Sequence, residues 1–293
     1  MYPMRTHLLV AGLLALVACA REQAPAHTEL ATPAAAAGGF DGPEAVKYDA
    51  DQDVWFVSNF AGDGDALDSN GFISRLRADG TVDSLRFIEG RRGGAVLHAP
   101  RGMALHGDTL WVADADGLHG FDRRSGAPLA AIDFRSRDPG FLNDVAIGGD
   151  GTIWVTDTGR RRIHRIARGA IETAVEDTAL GGPNGITWDT LGQRFFIAPY
   201  FEGTGLLTWL PGASVTTAAT GTGGRYDGVE IIGRDSVLVA SQADSSLHLF
   251  TAGRGRAIIK LAGRPADIGW NPRTRTVAVP YISRDTVEFF RVP

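Results

Sequence analysis

Four oxygen-bearing side chains stand at one recurring position of this sequence. Glu44, Asn143, Asn184 and Asp227 each take the second place of a heptapeptide that returns as PEAVKYD from Pro43, PRGMALH from Pro100, LNDVAIG from Leu142, PNGITWD from Pro183, YDGVEII from Tyr226 and PADIGWN from Pro265. Arg101 and Ala266 fill the two remaining places. Two carboxylates and two carboxamides brought together are costly to bury without a partner, because each must recover its lost hydration. A divalent cation supplies the missing charge. Oxygen donors without His or Cys suit a hard ion, Ca²⁺ first, with Mg²⁺, Mn²⁺ or Zn²⁺ as alternatives. Asn and Asp also satisfy loop amides at strand starts; it is the recurrence at one repeat position that points to a metal.

Other chemistries find little material. The sequence has no GxSxG elbow, HExxH pair, Walker loop or complete GxGxxG, which argues against a serine hydrolase, a zinc peptidase or a nucleotide cofactor. A single cysteine, Cys19, excludes a disulfide framework within the chain, and two lysines, Lys47 and Lys260, leave little for Schiff-base chemistry. A formal net charge of -5 and no dense basic stripe argue against a nucleic-acid partner.

The elements that must position the four oxygens follow from the same repeat. Nine to eleven residues after each second place begins another β-prone run: Val54 to Val57, Leu110 to Ala113, Ile153 to Thr156, Phe195 to Ala198, Val237 to Ala240 and Thr276 to Val279. Turn signals such as Gly107-Asp108 and Gly149-Asp150-Gly151 separate the runs, and a third run follows, as at Gly71 to Leu76. No segment sustains a helical period. Residues 41–293 divide into six units of about 42 residues, the size of a propeller blade. The expected fold is therefore all-β, a six-bladed β-propeller with a metal site on its axis. The last unit holds only three strands, so a piece from about His27 to Ala34 is expected to supply its outer strand and cover the edge.

Over residues 41–293 the sequence resembles the SMP-30/gluconolactonase/LRE family, six-bladed propellers related to the paraoxonases. The resemblance rests on Gly42-Pro43-Glu44, Phe141-Leu142-Asn143-Asp144, Gly182-Pro183-Asn184-Gly185 and Tyr226-Asp227-Gly228, with Asn70-Gly71-Phe72-Ile73-Ser74-Arg75 after a polar loop. It implies a Ca²⁺-dependent hydrolase of lactones or other esters. The metal is then held by Glu44, Asn143, Asn184 and Asp227, and Asp227 orients or deprotonates the attacking water. The alternative is a non-catalytic scaffold similar to NHL-repeat propellers, since a fold does not fix a function.

Arg101 stands where the paraoxonase pattern has a histidine. It is placed to bind a substrate carboxylate or phosphate, or to pair with Glu44 or Asp227. The second runs return to the same mouth, which makes their last residues, Asn59, Asp114, Asp157, Tyr200, Gln242 and Tyr281, candidates for substrate contact. Asp63-Gly64-Asp65, with Asp68 and Asn70, misses the EF-hand spacing and reads as a flap over the mouth.

At the N-terminus, Arg5 and His7 precede an apolar run from Leu8 to Ala18 that is too short to span a bilayer. Leu16-Val17-Ala18-Cys19 resembles a bacterial lipobox. Residues 1–18 are expected to be a lipoprotein signal peptide, and residues 19–40 a lipidated Cys19 with a flexible tether. The mature protein is expected as a monomer anchored to a bacterial envelope membrane, the outer membrane facing the periplasm, acting on a small lactone or ester.

Overall fold

A computed structural model describes Met1 and residues 29–292. The chain opens with a short strand, β1 (Ala35–Gly38), and then lays down antiparallel meanders. The first comprises β2 (Pro43–Asp49), β3 (Val54–Asn59), β4 (Phe72–Arg77) and β5 (Val82–Glu89). The second comprises β6 (Met103–His106), β7 (Thr109–Ala113), β8 (Gly117–Asp122) and β9 (Pro128–Asp133), and the third β10 (Leu142–Ile147), β11 (Ile153–Asp157), β12 (Arg162–Ala167) and β13 (Ala170–Glu176). An eight-stranded sheet follows. One half is β14 (Pro183–Asp189), β15 (Arg194–Pro199), β16 (Gly205–Trp209) and β17 (Thr216–Thr220). The other is β18 (Tyr226–Gly233), β19 (Ser236–Ser241), β20 (Ser246–Thr251) and β21 (Arg254–Lys260), joined to the first by one parallel pair, Thr220 with Arg254. The last sheet runs β22 (Gly269–Asn271), β23 (Thr276–Tyr281), β24 (Thr286–Arg291) and then β1. The helical elements among the described residues are three-residue 3₁₀ turns.

The β-prone runs of the sequence are the second strands. All five core residues of β11 are buried, and β3, β15, β19 and β23 are buried beyond their first residue, because each is packed on both faces. A strand covered on both sides needs no polar alternation, which is why these runs read as continuous Val, Ile, Phe and Trp. Apolar clusters fill the spaces between successive sheets. Phe56, Ile73, Met103 and Phe121 lie between the first and second, and Val46, Trp55, Val287 and Phe289 lie between the last and the first. The sheets are thus set around an axis in a propeller-like arrangement, with β2, β10, β14 and β18 innermost.

The closing strand lies further along than expected. Ala35 to Gly38, read from the sequence as tether, pair in register with Phe289 to Thr286 of β24, and Ala34 N–H donates to Phe289 O at 2.7 Å. Residues 30 and 31 are fastened too, through a bridge of Leu30 to Lys260 and an Ala31 N–H bond to Lys260 O. Ala35 and Ala37 turn their methyls to the Trp55 and Phe289 cluster, a seat that small side chains fit. Cys19 and the expected signal segment after Met1 lie outside the described residues.

Candidate metal centre and cavity

The backbone delivers the four oxygens by a shared device. Strand pairing of β2 with β3 lapses between Pro43 and Val46, of β10 with β11 between Leu142 and Val145, of β14 with β15 between Pro183 and Ile186, and of β18 with β19 between Tyr226 and Val229. Each irregularity spans one of Glu44, Asn143, Asn184 and Asp227. Bulges of this kind re-aim a side chain that a regular ladder would direct to a sheet face. The amide freed at Ala45 donates to Ser58 Oγ at 2.9 Å, and that of Asp144 to Thr156 Oγ1 at 2.9 Å. Hydroxyls on the second strands therefore replace the missing ladder bonds.

All four side chains are buried and line the foot of one cavity of about 400 Å³. Three of their oxygens, Glu44 Oε2, Asn184 Oδ1 and Asp227 Oδ1, have no hydrogen-bond partner. Asn143 gives its amide nitrogen to Thr158 Oγ1 at 3.0 Å, and Thr158 Oγ1 donates onward to Pro183 O at 2.7 Å. Gln242 Nε2 donates to Asp227 Oδ2 at 2.7 Å, and Tyr200 Oη donates to Gln242 Oε1 at 3.2 Å. Burial pushes the Asp227 carboxyl up to about 7, against the hydrogen bond from Gln242. Burial, and then the charge of Asp227, hold Glu44 well above the usual carboxylate range.

Below this tier lies a second. Asp144 and Asp267, at the third heptapeptide place, are buried beside the axis, and glycines at that place leave them room. A Cβ on Gly102 would fall 2.5 Å from Asp144 Cα, and one on Gly228 2.5 Å from Asp267 Oδ1. Asp144 takes the N–H groups of Val145 and Ile186, while Asp267 Oδ2 has no partner. At the fifth place Lys47 pairs with Glu230 at 2.9 Å. The sequence reading stopped at the second place and missed this tier, although the same alignment one residue further on displays both carboxylates.

The remaining candidates separate. Tyr200 and Gln242 line the cavity with the four oxygens. Asn59, Asp114 and Asp157 do not; all three are fully buried and occupied with loop structure. Asp114 takes the N–H groups of His98, Ala99 and Ala115, and Asp157 those of Gly140, Phe141 and Arg160. Asn59 bonds to Val57 O and Ser74 Oγ, and Tyr281 to Glu288. The last residue of a buried strand is well placed to cap the loop that follows its neighbour, and short polar side chains do so here.

Arg101 is likewise engaged within the protein. Only 1% exposed, it donates to Leu142 O at 2.8 Å, to Gly64 O and to Asp65 Oδ1 at 3.2 Å, with its guanidinium 3.6 Å over the Phe141 ring. It pairs with neither Glu44 nor Asp227; it pins the expected flap. Ser69 N–H, at the far end of that loop, donates to His98 Nδ1 at 3.0 Å, so the segment is tied at both ends.

Asp114, Asp116 and His119 bring metal-type atoms within 4.8 Å of one another. Their atoms already serve one another and the backbone, with His119 Nε2 2.9 Å from Asp116 Oδ1. Glu44, Asn184 and Asp227, by contrast, each turn a partnerless oxygen to one shared cavity.

Neither a protein-family model nor a curated protein matches the sequence. Solved structures do. A gluconolactonase from Xanthomonas campestris is similar at a TM-score of 0.67 and 16% identity, over 87% of this chain and 88% of that one. Regucalcin, a calcium-binding protein from Agrobacterium tumefaciens, gives 0.62 and 18% over 85% and 82%. A catalytically inactive variant of virginiamycin B lyase from Staphylococcus aureus, solved with quinupristin, gives 0.60 and 14% over 86% and 95%. At such identities the likeness is one of fold.

Proposed function

We propose that this chain is a six-bladed propeller of the SMP-30/gluconolactonase type, and a hydrolase that opens a lactone or cleaves an ester with the help of a divalent cation, Ca²⁺ foremost. The eight-stranded sheet counts as two blades, since one residue pair joins its halves and an apolar cluster containing Phe196, Tyr226, Val229 and Phe250 lies between them. The observation that carries the function is the trio of buried, partnerless oxygens on Glu44, Asn184 and Asp227 at the foot of an open cavity. Buried polar atoms are rarely left so unless something absent from the protein satisfies them. With Asn143 they form the hard-donor set that suits Ca²⁺.

A cation held there supplies Lewis acidity at a carbonyl oxygen. The protein's own groups do the rest. Gln242, itself oriented by Tyr200, fixes Asp227 through Oδ2, so that Oδ1 would face the cation with one lone pair and accept a hydrogen bond from the attacking water with the other. Asp227 takes that water's proton as its oxygen bonds to the acyl carbon, and returns it to the oxygen that leaves. The lyase neighbour is inactivated by loss of a histidine. Among the described residues no histidine lines this cavity, which favours hydrolysis over that chemistry.

The test is a panel of sugar lactones, acyl-homoserine lactones and aryl esters, run with chelator and with restored Ca²⁺. Hydrolysis should require the metal, and the melting temperature should rise when it is added. A melt indifferent to Ca²⁺ with no hydrolysis would leave the scaffold reading in its place. Export and acylation of Cys19, with anchoring to the outer membrane, belong to the same proposal. They are tested by incorporation of labelled palmitate and its loss in Cys19→Ala. No helix among the described residues is long and apolar enough to cross a membrane.

A further inference from the structure

The cavity changes character between foot and walls. Oxygens gather at the foot, but the walls are Phe60, Phe141, Tyr200, Phe201 and Ile282. Phe201, 50% exposed, and Ile282, 36% exposed, carry the apolar lining out to solvent. Among the described residues no Lys, Arg or His lines it, and the nearby guanidinium of Arg101 is spent on Gly64, Asp65 and Leu142. The polar wall groups are committed as well, Tyr200 Oη to Gln242 and Thr158 Oγ1 to Pro183 O.

A polyhydroxylated ring entering such a space would give up water at each hydroxyl and find few partners in return, a loss of order 1–3 kcal/mol per unsatisfied group. An alkyl or aryl substituent has the reverse balance. We infer that the site selects a lactone or ester whose substituent is hydrophobic, with Phe60, Phe141, Phe201 and Ile282 as the residues that set this preference. The inference rests on the hydrolase reading for its reaction, but not for its binding. In the reaction water's oxygen bonds to the acyl carbon, the acyl carbon–oxygen bond breaks, and the leaving oxygen gains the proton, giving a lipophilic hydroxy acid, or an acid and an alcohol.

Binding and turnover are measured separately on the Ca²⁺-loaded full chain. Calorimetry compares a series of alkyl δ-lactams, which are not hydrolysed, with a polyhydroxylated δ-lactam. Affinity should rise about three- to fourfold per added methylene until the cavity is full. Phe201→Ser and Ile282→Asn, both at exposed rim positions and checked by melting temperature, should each weaken the alkyl lactams about tenfold and leave Ca²⁺ and the polyhydroxylated lactam unaffected. Equal or tighter binding of the polyhydroxylated lactam, affinity flat with chain length, or no binding of either would overturn the inference. Chain-length-dependent binding without turnover of any matching lactone would uphold it and sink the hydrolase reading instead.

Discussion

The two oxygens of Asp227 live in different circumstances. Oδ2 accepts a short bond from Gln242, while Oδ1 is buried with no partner. Asp227→Ala should therefore abolish cation binding and hydrolysis together, yet raise the melting temperature in chelator, because a buried charge without compensation is removed. Turnover surviving in the variant would refute its assigned role. Gln242→Leu leaves the carboxylate in place but unfixed, and should lower Ca²⁺ affinity 10- to 100-fold, the usual cost of losing a group that orients a ligand. Calorimetry decides it, and a change under twofold would mean that Gln242 only fills space. Glu44, Asn143, Asn184 and Asp227 could be picked out from repeat position alone because four side chains of one chemistry coincided. Asn59, Asp114 and Asp157 were equally regular, but their side chains are engaged by loop amides and a neighbouring strand. A polar residue at a strand end serves a ligand or a loop amide equally well, and only the direction of its side chain tells which.

At the scale of elements, the lapses in pairing at the heads of β2, β10, β14 and β18 convert a repeat of sequence into a convergence of side chains. Room for them comes from neighbouring glycines. Gly102→Ala would drive a methyl into Asp144 and is expected to cost about 2 kcal/mol, seen as a lower urea midpoint with an unchanged slope. The inner two strands of each unit were legible, because buried second strands leave an unbroken apolar signature, whereas the outer strands such as β5, β9 and β13, largely exposed, leave none. The position of β1 was not. Ala35 to Gly38 carry no β signal of their own and become a strand only because β24 offers an edge. Arg101 was legible as a charged residue at the mouth, but its task of fastening the 61–70 loop depends on Gly64 and Asp65 arriving from a distant part of the chain.

For the whole molecule, the axis concentrates carboxylates whose folded-state pKa values are raised: Asp227 to about 7, Asp144 to about 6, and Glu44 and Asp267 in the same direction, each chiefly through burial. A carboxylate raised on folding makes the native state hold more protons than the unfolded one, so its contribution is greatest below the unfolded value of 3.8 and is lost as pH rises through the folded value. Metal-free protein should thus melt progressively lower from about pH 4 to about pH 7. Ca²⁺ should reverse the trend, opening a gap between loaded and chelated melting curves that widens with pH; parallel curves would show that the axial carboxylates do not hold the ion. Deleting residues 29–38 should lower the melting temperature further and promote association through the bared edge of β24, read by light scattering. The pairing of Ala35 with Phe289 also sets an order of events. β1 can be seated only once β24 has been made, so a nascent or truncated chain that stops before β24 leaves Ala35–Gly38 without the edge they pair with. A pairing between segments so far apart in sequence carries a large loop-closure cost, so closure of the last sheet is expected to come late in folding.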